Sequence, residues 1–353
     1  MTAMSIVADH HGFVIGVDCH AKNHVYSIAT ARGDILATRQ FPTTAAGMGR
    51  AISWVGRTTG GDMSALFAIE GTATYGANLS RLAARAGYTR VEAPWTGKSS
   101  KGKSDEIDAG KIARATLACQ IDQLRDPRAD GIRGALAILL ASRNQIQTAK
   151  TSAKNQLTAL TRFHDLGIDV RKTMSMKQIR AIATWQARDT GDIAVFYARR
   201  EAIDLAQSIL QLEKKAATNQ AEILALVRQS EAGPLLEEKG YGPISVAQIF
   251  VSFSHAGRIE TEAKFAALAG VNPVPASSGN TVRHRLNRGG DRQLNSALHT
   301  IALTKMRTDE QTKAYVARRR LEGKTDREIR RCLKRYLARH AYRTLNHTPP
   351  TQP

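Results

Sequence analysis

The stretch Phe13-Val14-Ile15-Gly16-Val17-Asp18 predicts a buried strand that ends on a carboxylate. A second apolar run, Ala65-Leu66-Phe67-Ala68-Ile69, is followed directly by Glu70. Either acid alone would be a solvated side chain at a strand end, as most carboxylates are exposed. Two buried strands that both finish on an acid instead indicate that Asp18 and Glu70 belong to a functional site.

Two further acids open a predicted helix that runs from Asp105 to Arg114. Asp105 and Asp108 are three residues apart, so their carboxylates face one side of that helix. Asp105 could alternatively cap the helix, because an acid near the N-terminus suits the free N–H groups and the dipole. Acids from two strand ends and one helix can converge on Mg²⁺, which takes oxygen ligands, and two such ions can brace a phosphodiester. The sequence therefore predicts a Mg²⁺ site formed by Asp18, Glu70, Asp105 and Asp108.

The residues around these acids alternate strand and helix patterns. Strands are predicted at His24–Thr30, Ile35–Phe41 and Tyr88–Ala93, and helices at Ala45–Val55 and about Tyr75–Ala86. Three consecutive strands followed by alternating helices and strands form a mixed sheet covered by helices. The predicted class is α/β and ribonuclease-H-like.

Charge and composition restrict the class of protein. The 353 residues suggest two or three domains, and a net charge of +20 indicates a nucleic-acid partner. A cationic membrane-surface protein is the alternative, but no long apolar segment supports it, and residues 1–11 lack an apolar signal core. Three scattered cysteines, Cys19, Cys119 and Cys332, fit a reducing cytoplasm. We expect a cytoplasmic, nucleoid-associated protein.

Basic residues cluster in two segments predicted to be loops. Lys98, Lys101 and Lys103 lie just before the helical acids and would meet phosphates there, unless this is an ordinary solvated loop. Arg283, Arg285 and Arg288 follow a loop of small hydroxyl residues in the C-terminal part. We expect both sets to contact nucleic acid.

The middle of the chain carries a heptad stripe, a series of residues at alternating spacings of three and four. Its members are Val195, Ala198, Ala202, Leu205, Ile209, Leu212, Ala216, Asn219, Ile223 and Leu226. This spacing predicts a coiled coil or an antiparallel helical hairpin. We expect self-association through it, and the alternative is a buried helix of a single-chain bundle.

A glycine-rich turn opens the C-terminal part. Lys239-Gly240-Tyr241-Gly242-Pro243-Ile244-Ser245 resembles the turn of a helix-hairpin-helix, in which backbone N–H groups approach a phosphate. A plain Gly-Pro turn is the alternative.

Several motifs, spaced in the same order, resemble the DEDD transposases of the insertion-sequence one-ten family. These bridge-RNA-guided recombinases are related to the pilin-gene invertases. The N-terminal motifs are Gly16–Lys22, Glu70–Tyr75 and Lys103–Ala109. The C-terminal motifs are Gly240–Gly242, Ala267–Pro273, Ser278-Gly279 and Asn287–Gly290.

The resemblance implies a RuvC-like domain at 8–128, a helical linker and coiled coil at 129–230, a mostly α transposase domain at 231–345 and a tail at 346–353. It implies that the four acids bind Mg²⁺ and that a C-terminal serine attacks DNA to form a phosphoserine link. That serine aligns with Ser278, beside the chemically equivalent Ser277. The implied partners are donor and target DNA, a structured bridge RNA and further copies of the chain, as a dimer or tetramer.

Two other functions compete with a recombinase. A junction-resolvase type of endonuclease would use the same acids with water as the nucleophile. A protein that only binds nucleic acid would gain nothing from four acids placed near a phosphate backbone.

Overall fold

The computed structural model describes residues 5–94, 96, 105–128, 130–169, 174–186, 188, 191–275, 284–285, 287 and 289–347. The chain forms two compact units, Met1–Arg128 and Ala129–Pro353. Within the described ranges, no helix is both long enough and apolar enough to cross a membrane.

The N-terminal unit is built on a five-stranded mixed sheet. The strands are β1 (Phe13–Cys19), β2 (Asn23–Thr30), β3 (Ile35–Pro42), β4 (Leu66–Ile69) and β5 (Arg90–Glu92). Their order is β3-β2-β1-β4-β5, with β1 to β3 antiparallel and both β4 and β5 added in parallel. This arrangement confirms the predicted ribonuclease-H-like class.

Helices cover both faces of this sheet. Side chains of β1 point alternately to opposite faces and so contact different helices. Ile15 and Val17 lie in one core cluster with α1 (Ala45–Thr58) and α2 (Ala77–Arg85). Val14, one residue out of step, lies in the cluster of α3 (Asp105–Leu117) on the other face. Successive side chains of a strand point to opposite faces, so Gly16 and Asp18 belong to the α3 face.

Gly16 lets α3 lie directly on β1. A Cβ atom at this position would be 2.2 Å from the carbonyl oxygen of Ala109 and 2.5 Å from the backbone nitrogen of Ala113. Only a residue without a side chain tolerates such an approach. The contact fixes the distance of α3 from the end of β1.

The C-terminal unit begins with a helical hairpin. The helices are α4 (Ile132–Phe163), α5 (Met176–Ala183) and α6 (Ile193–Arg228). Lys150 of α4 pairs with Glu213 of α6 at 2.8 Å, and Asn219 donates a hydrogen bond to the carbonyl of Leu139 at 3.0 Å. The contact with the lower residue number on α4, at Leu139, has the higher number on α6, at Asn219. The two helices are therefore antiparallel.

The stripe therefore has a partner within the chain. Ala198, Ala202 and Ile209 are buried in a cluster with residues of α4 and α5. This is the antiparallel-hairpin alternative, and self-association remains a prediction. Helix α5 lies in the connection between α4 and α6. Ser175 and Gln178 form the capping box at its start.

The remaining helices enclose a second core in which α7, α9 and α11 meet α4 and α6. They are α7 (Pro243–Phe253), α8 (Glu262–Leu268), α9 (Arg292–Thr308), α10 (Glu310–Leu321) and α11 (Asp326–His347). A short pair, β6 (Val274–Pro275) and β7 (His284–Arg285), completes the unit. Gly240, with φ of 88°, packs against Ile301 and Lys305 of α9. The helix-hairpin-helix interpretation of its turn remains a prediction.

Candidate metal site in the N-terminal unit

Asp18 and Glu70 lie side by side at one edge of the sheet. Strands β1 and β4 run parallel with Val17 opposite Ile69, and the Glu70 backbone nitrogen donates to the carbonyl of Val17 at 3.0 Å. Asp18 is 6% exposed, whereas Glu70 is exposed at the rim. In each strand, every second side chain faces α3, and Asp18 and Glu70 occupy the next position in that series. Both carboxylates therefore point to the side of the sheet where α3 begins.

The first turn of α3 brings Asp105 to the same place. The Nε2 atom of His20 lies 3.0 Å from Oδ2 of Asp18 and 3.5 Å from Oδ1 of Asp105. One ligand atom from each of these three residues falls within 4.8 Å of the others. His20 was not among the residues predicted from the sequence. The pattern that could have identified it is its position two residues after Asp18, on the same side of an extended chain.

Asp108 lies one turn further along α3. Its carboxylate is paired with Lys111 at 3.0 Å. The pKa of Glu70 is raised by partial burial, by the charge of Asp18 and a hydrogen bond with it, and by the charge of Asp108; His20 acts in the opposite direction. Glu70 is therefore close enough to Asp18 and Asp108 for their charges to act on it, while Asp105 reaches the same group through His20 and Asp18.

The donor set fits a divalent cation. Four carboxylates supply hard oxygen ligands, and His20 adds one imidazole nitrogen beside them. Lys111 balances only one of the negative charges. Like charges held together raise a carboxyl pKa, and a bound cation would remove that repulsion.

Cys19 is an unsuitable nucleophile despite its place beside Asp18. Burial raises the pKa of its thiol, and the charges of Asp18 and Glu70 raise it further. The thiol is therefore protonated at neutral pH, and the thiolate is the reactive form.

The other residues predicted from the sequence stay predictions. Lys98, Lys101, Lys103, Ser277, Ser278, Arg283 and Arg288 lie outside the described residues. Arg285 is described by its backbone alone, in β7.

Comparison with known families assigns both units. A family model described as a transposase, for the DEDD domain of IS110 elements, matches residues 15–164. A second model, described as Transposase IS116/IS110/IS902 family, matches residues 233–317. One relative is the "Insertion element IS110 uncharacterized 43.6 kDa protein" of Streptomyces coelicolor, which is 31% identical over 123 residues. That alignment covers 34% of this chain and 30% of the relative, so it spans less than a third of the relative's length. With a DEDD domain followed by the second transposase domain, the chain belongs to the IS110/IS116/IS902 family of transposases.

Proposed function

We propose that this protein is a Mg²⁺-dependent DNA recombinase of an insertion sequence, which cuts and rejoins DNA through a serine–phosphate ester. The observation that carries the proposal is the convergence of Asp18, Glu70, Asp105 and Asp108 at one edge of a ribonuclease-H-like sheet. Membership of a transposase family supports DNA as the substrate.

The four acids would hold Mg²⁺, which stabilises the charge that develops on a phosphate under attack. Asp18 is buried, so its carboxylate is held in one position by the sheet. Glu70 and Asp105 are exposed and face the side from which a phosphate can approach. Lys111 orients the carboxylate of Asp108, and His20 holds those of Asp18 and Asp105 together.

Ser278 is the proposed nucleophile, on the resemblance of its Ser-Gly motif and its place within the matched residues 233–317. Its Oγ would attack a DNA phosphate and lose its proton to solvent. The bond from phosphorus to the 3′ oxygen would break, and that oxygen would leave as a hydroxyl. The ester on Ser278 keeps the bond energy, so a second 3′ hydroxyl can reverse the step and join a new strand.

Sequence choice is proposed to come from a structured bridge RNA that pairs with donor and target DNA. A net charge of +20 suits contacts to phosphate backbones, including those proposed for Lys98, Lys101, Lys103, Arg283, Arg285 and Arg288. The family's layout is proposed to hold here, with domains at 8–128, 129–230 and 231–345. Self-association as a dimer or tetramer is also proposed, and the exposed Ile138 of α4 and Tyr197 of α6 offer it apolar surface.

The test is a search for a protein–DNA adduct on denaturing gels. Wild-type protein with Mg²⁺, element-end DNA and RNA from the element's flank should form an adduct whose modified peptide contains Ser278. Ser278→Ala should form none, whereas the matched Ser277→Ala should still react. Asp108→Asn should bind DNA and leave it uncut.

Two results would change the assignment. Cut DNA with no adduct would favour the nuclease that uses water. Adducts from both serine variants would refute a serine nucleophile at this motif.

A further inference from the structure

Helix α11 lines a cleft of about 1250 Å³ within the C-terminal unit. The opposite wall is the loop Gly270–Pro273 together with Asn287, and this space is called the α11 cleft. Basic side chains follow it along the helix and the preceding turn: Lys324, Arg327, Arg330, Arg331 and Lys334. From Arg327 to Arg339 the lining extends for about 18 Å at the rise of an α-helix.

The acids of the cleft are already engaged. The Nε atom of Arg320 donates a hydrogen bond to Oδ1 of Asp326 at 2.9 Å. Glu328 accepts from the backbone nitrogen and hydroxyl of Thr325, at 2.9 and 2.8 Å, and so closes the start of α11. Among the described residues, Lys324 and Arg327 form no ion pair with a carboxylate. The cleft therefore keeps a surplus of positive charge.

Lys334 adds a separate reason to expect an anion. It is 8% exposed, and its Nζ donates to the amide oxygen of Asn295 at 2.9 Å, with no carboxylate ion pair among the described residues. Burial lowers its pKa, and the charges of Arg330 and Arg331 lower it further. A buried cation that faces other cations is costly, and a phosphate in the cleft would relieve that cost.

Tyr336 gives the cleft an aromatic surface. The residue is 51% exposed, and its ring stands edge-on to Tyr315 with centroids 6.1 Å apart. The guanidinium of Arg339 lies 6.0 Å from the ring centroid. Exposed rings beside cations bind single strands, because an unpaired base stacks on the ring while the cations hold the backbone. In a duplex the bases are already stacked on one another.

We propose that the α11 cleft binds a single strand of DNA, with one base on Tyr336 and phosphates on Lys324, Arg327 and Lys334. The choice of DNA over RNA rests on the proposed function. In the sequence, the opposite wall flanks the segment that carries Ser278, with Pro273 before it and Asn287 after it. A strand held in the cleft would therefore pass the two ends of that segment.

The first experiment measures fluorescence anisotropy of labelled oligo(dT) with the full chain in EDTA. Tyr336→Leu should weaken binding about fivefold or more, the loss expected for one stacked base. Its dependence on salt should be unchanged, and Tyr336→Phe, which keeps the ring, should bind like the wild type. If Tyr336→Leu also binds like the wild type, no base rests on this ring.

The charged residues are tested by the salt dependence. Lys324→Gln with Arg327→Gln should reduce the slope of log affinity against log salt by about 1.4, at about 0.7 for each single-strand phosphate. Lys214→Gln with Arg228→Gln makes the same changes at exposed positions of α6 and should leave the slope unchanged. Equal slopes in the two double variants would overturn the proposal.

Photocrosslinking locates the bound strand. An oligonucleotide with 5-bromodeoxyuridine should crosslink to the peptide that contains Tyr336. Crosslinks confined to other peptides, or crosslinking of Tyr336 by oligo(U) but not by oligo(dT), would contradict a DNA site. These assays need no metal and no strand cleavage. A missing Ser278 adduct would refute the proposed function and leave their result standing.

Discussion

Replacing Gly16 with alanine should disable the metal site without touching any of its acids. The new Cβ would meet the carbonyl oxygen of Ala109 at 2.2 Å, where ordinary contact begins at 3.4 Å. The two nearest atoms, the oxygen of Ala109 and the nitrogen of Ala113, belong to the backbone of α3, which cannot rotate away as a side chain can. The helix must therefore move from β1 by roughly 1.2 Å, since close-packed interiors leave no space for the methyl group.

Asp105 and Asp108 would move with α3, while Asp18 stays on β1. A misplacement of about 1 Å in a catalytic group can cost on the order of 100-fold in rate. Overpacking of this kind also costs about 1–3 kcal/mol of folding free energy. We therefore expect Gly16→Ala to fold with lower stability, to bind Mn²⁺ more weakly and to cleave DNA about 100-fold more slowly.

The assay combines thermal unfolding, Mn²⁺ titration and single-turnover cleavage. Gly49→Ala in α1 is the matched control, because a Cβ there meets nothing within 4 Å. It should cleave normally and gain up to about 1 kcal/mol from the higher helix propensity of alanine. Wild-type cleavage and Mn²⁺ affinity in Gly16→Ala would refute the claim that this contact positions α3.

Three smaller predictions concern single side chains. Glu70→Gln should raise the melting temperature of the metal-free protein, because it removes the repulsion of Glu70 by Asp18 and Asp108. It should also abolish stabilisation by divalent metal, which for the wild type at 100 times the Kd would be about 2.7 kcal/mol. Asn219→Leu should raise the melting temperature, because the buried amide oxygen has no hydrogen-bond partner among the described residues. Burial opposes ionisation of Glu262, but the ion pairs with Arg335 and Arg339 outweigh it and lower the pKa of this carboxyl. These ion pairs therefore stabilise the fold above about pH 4.3, the pKa of an unfolded glutamate, and that stabilisation is lost as the pH falls through the lowered pKa. Glu262→Gln should cost about 1 kcal/mol in chemical denaturation at pH 7 and little in acid.

Local patterns were enough to predict most of the N-terminal sheet and its acids. Strand β1 was expected at Phe13–Asp18 and spans Phe13–Cys19; β2 and β3 also differ by only one residue at an end. Asp18 and Glu70 could be identified because each follows an apolar run, so both the buried strand and the charge at its end are visible in the sequence. Because parallel neighbours end at one edge of a sheet, their proximity followed from the fold class alone.

Features that depend on tertiary packing were not predicted. The position of His20 two residues after Asp18 hints at their contact, but its 3.5 Å distance to Asp105 depends on where α3 packs, which no local pattern indicates. The stripe of α6 was compatible with a second chain or with α4, and only the folded chain shows α4 against it. Helix α5 is short, and its capping box at Ser175 was the one local pattern that could have predicted it.

Anomalous diffraction from crystals soaked in Mn²⁺ tests the central claim most directly. A peak in the anomalous map should appear at the edge of the sheet, within ligand distance of carboxylate oxygens from Asp18 and from the first turn of α3. The same soak of Asp108→Asn crystals should give a weaker peak or none. A wild-type map with no peak among these acids, at a Mn²⁺ concentration that supports cleavage, would contradict the metal site and the proposed function that depends on it.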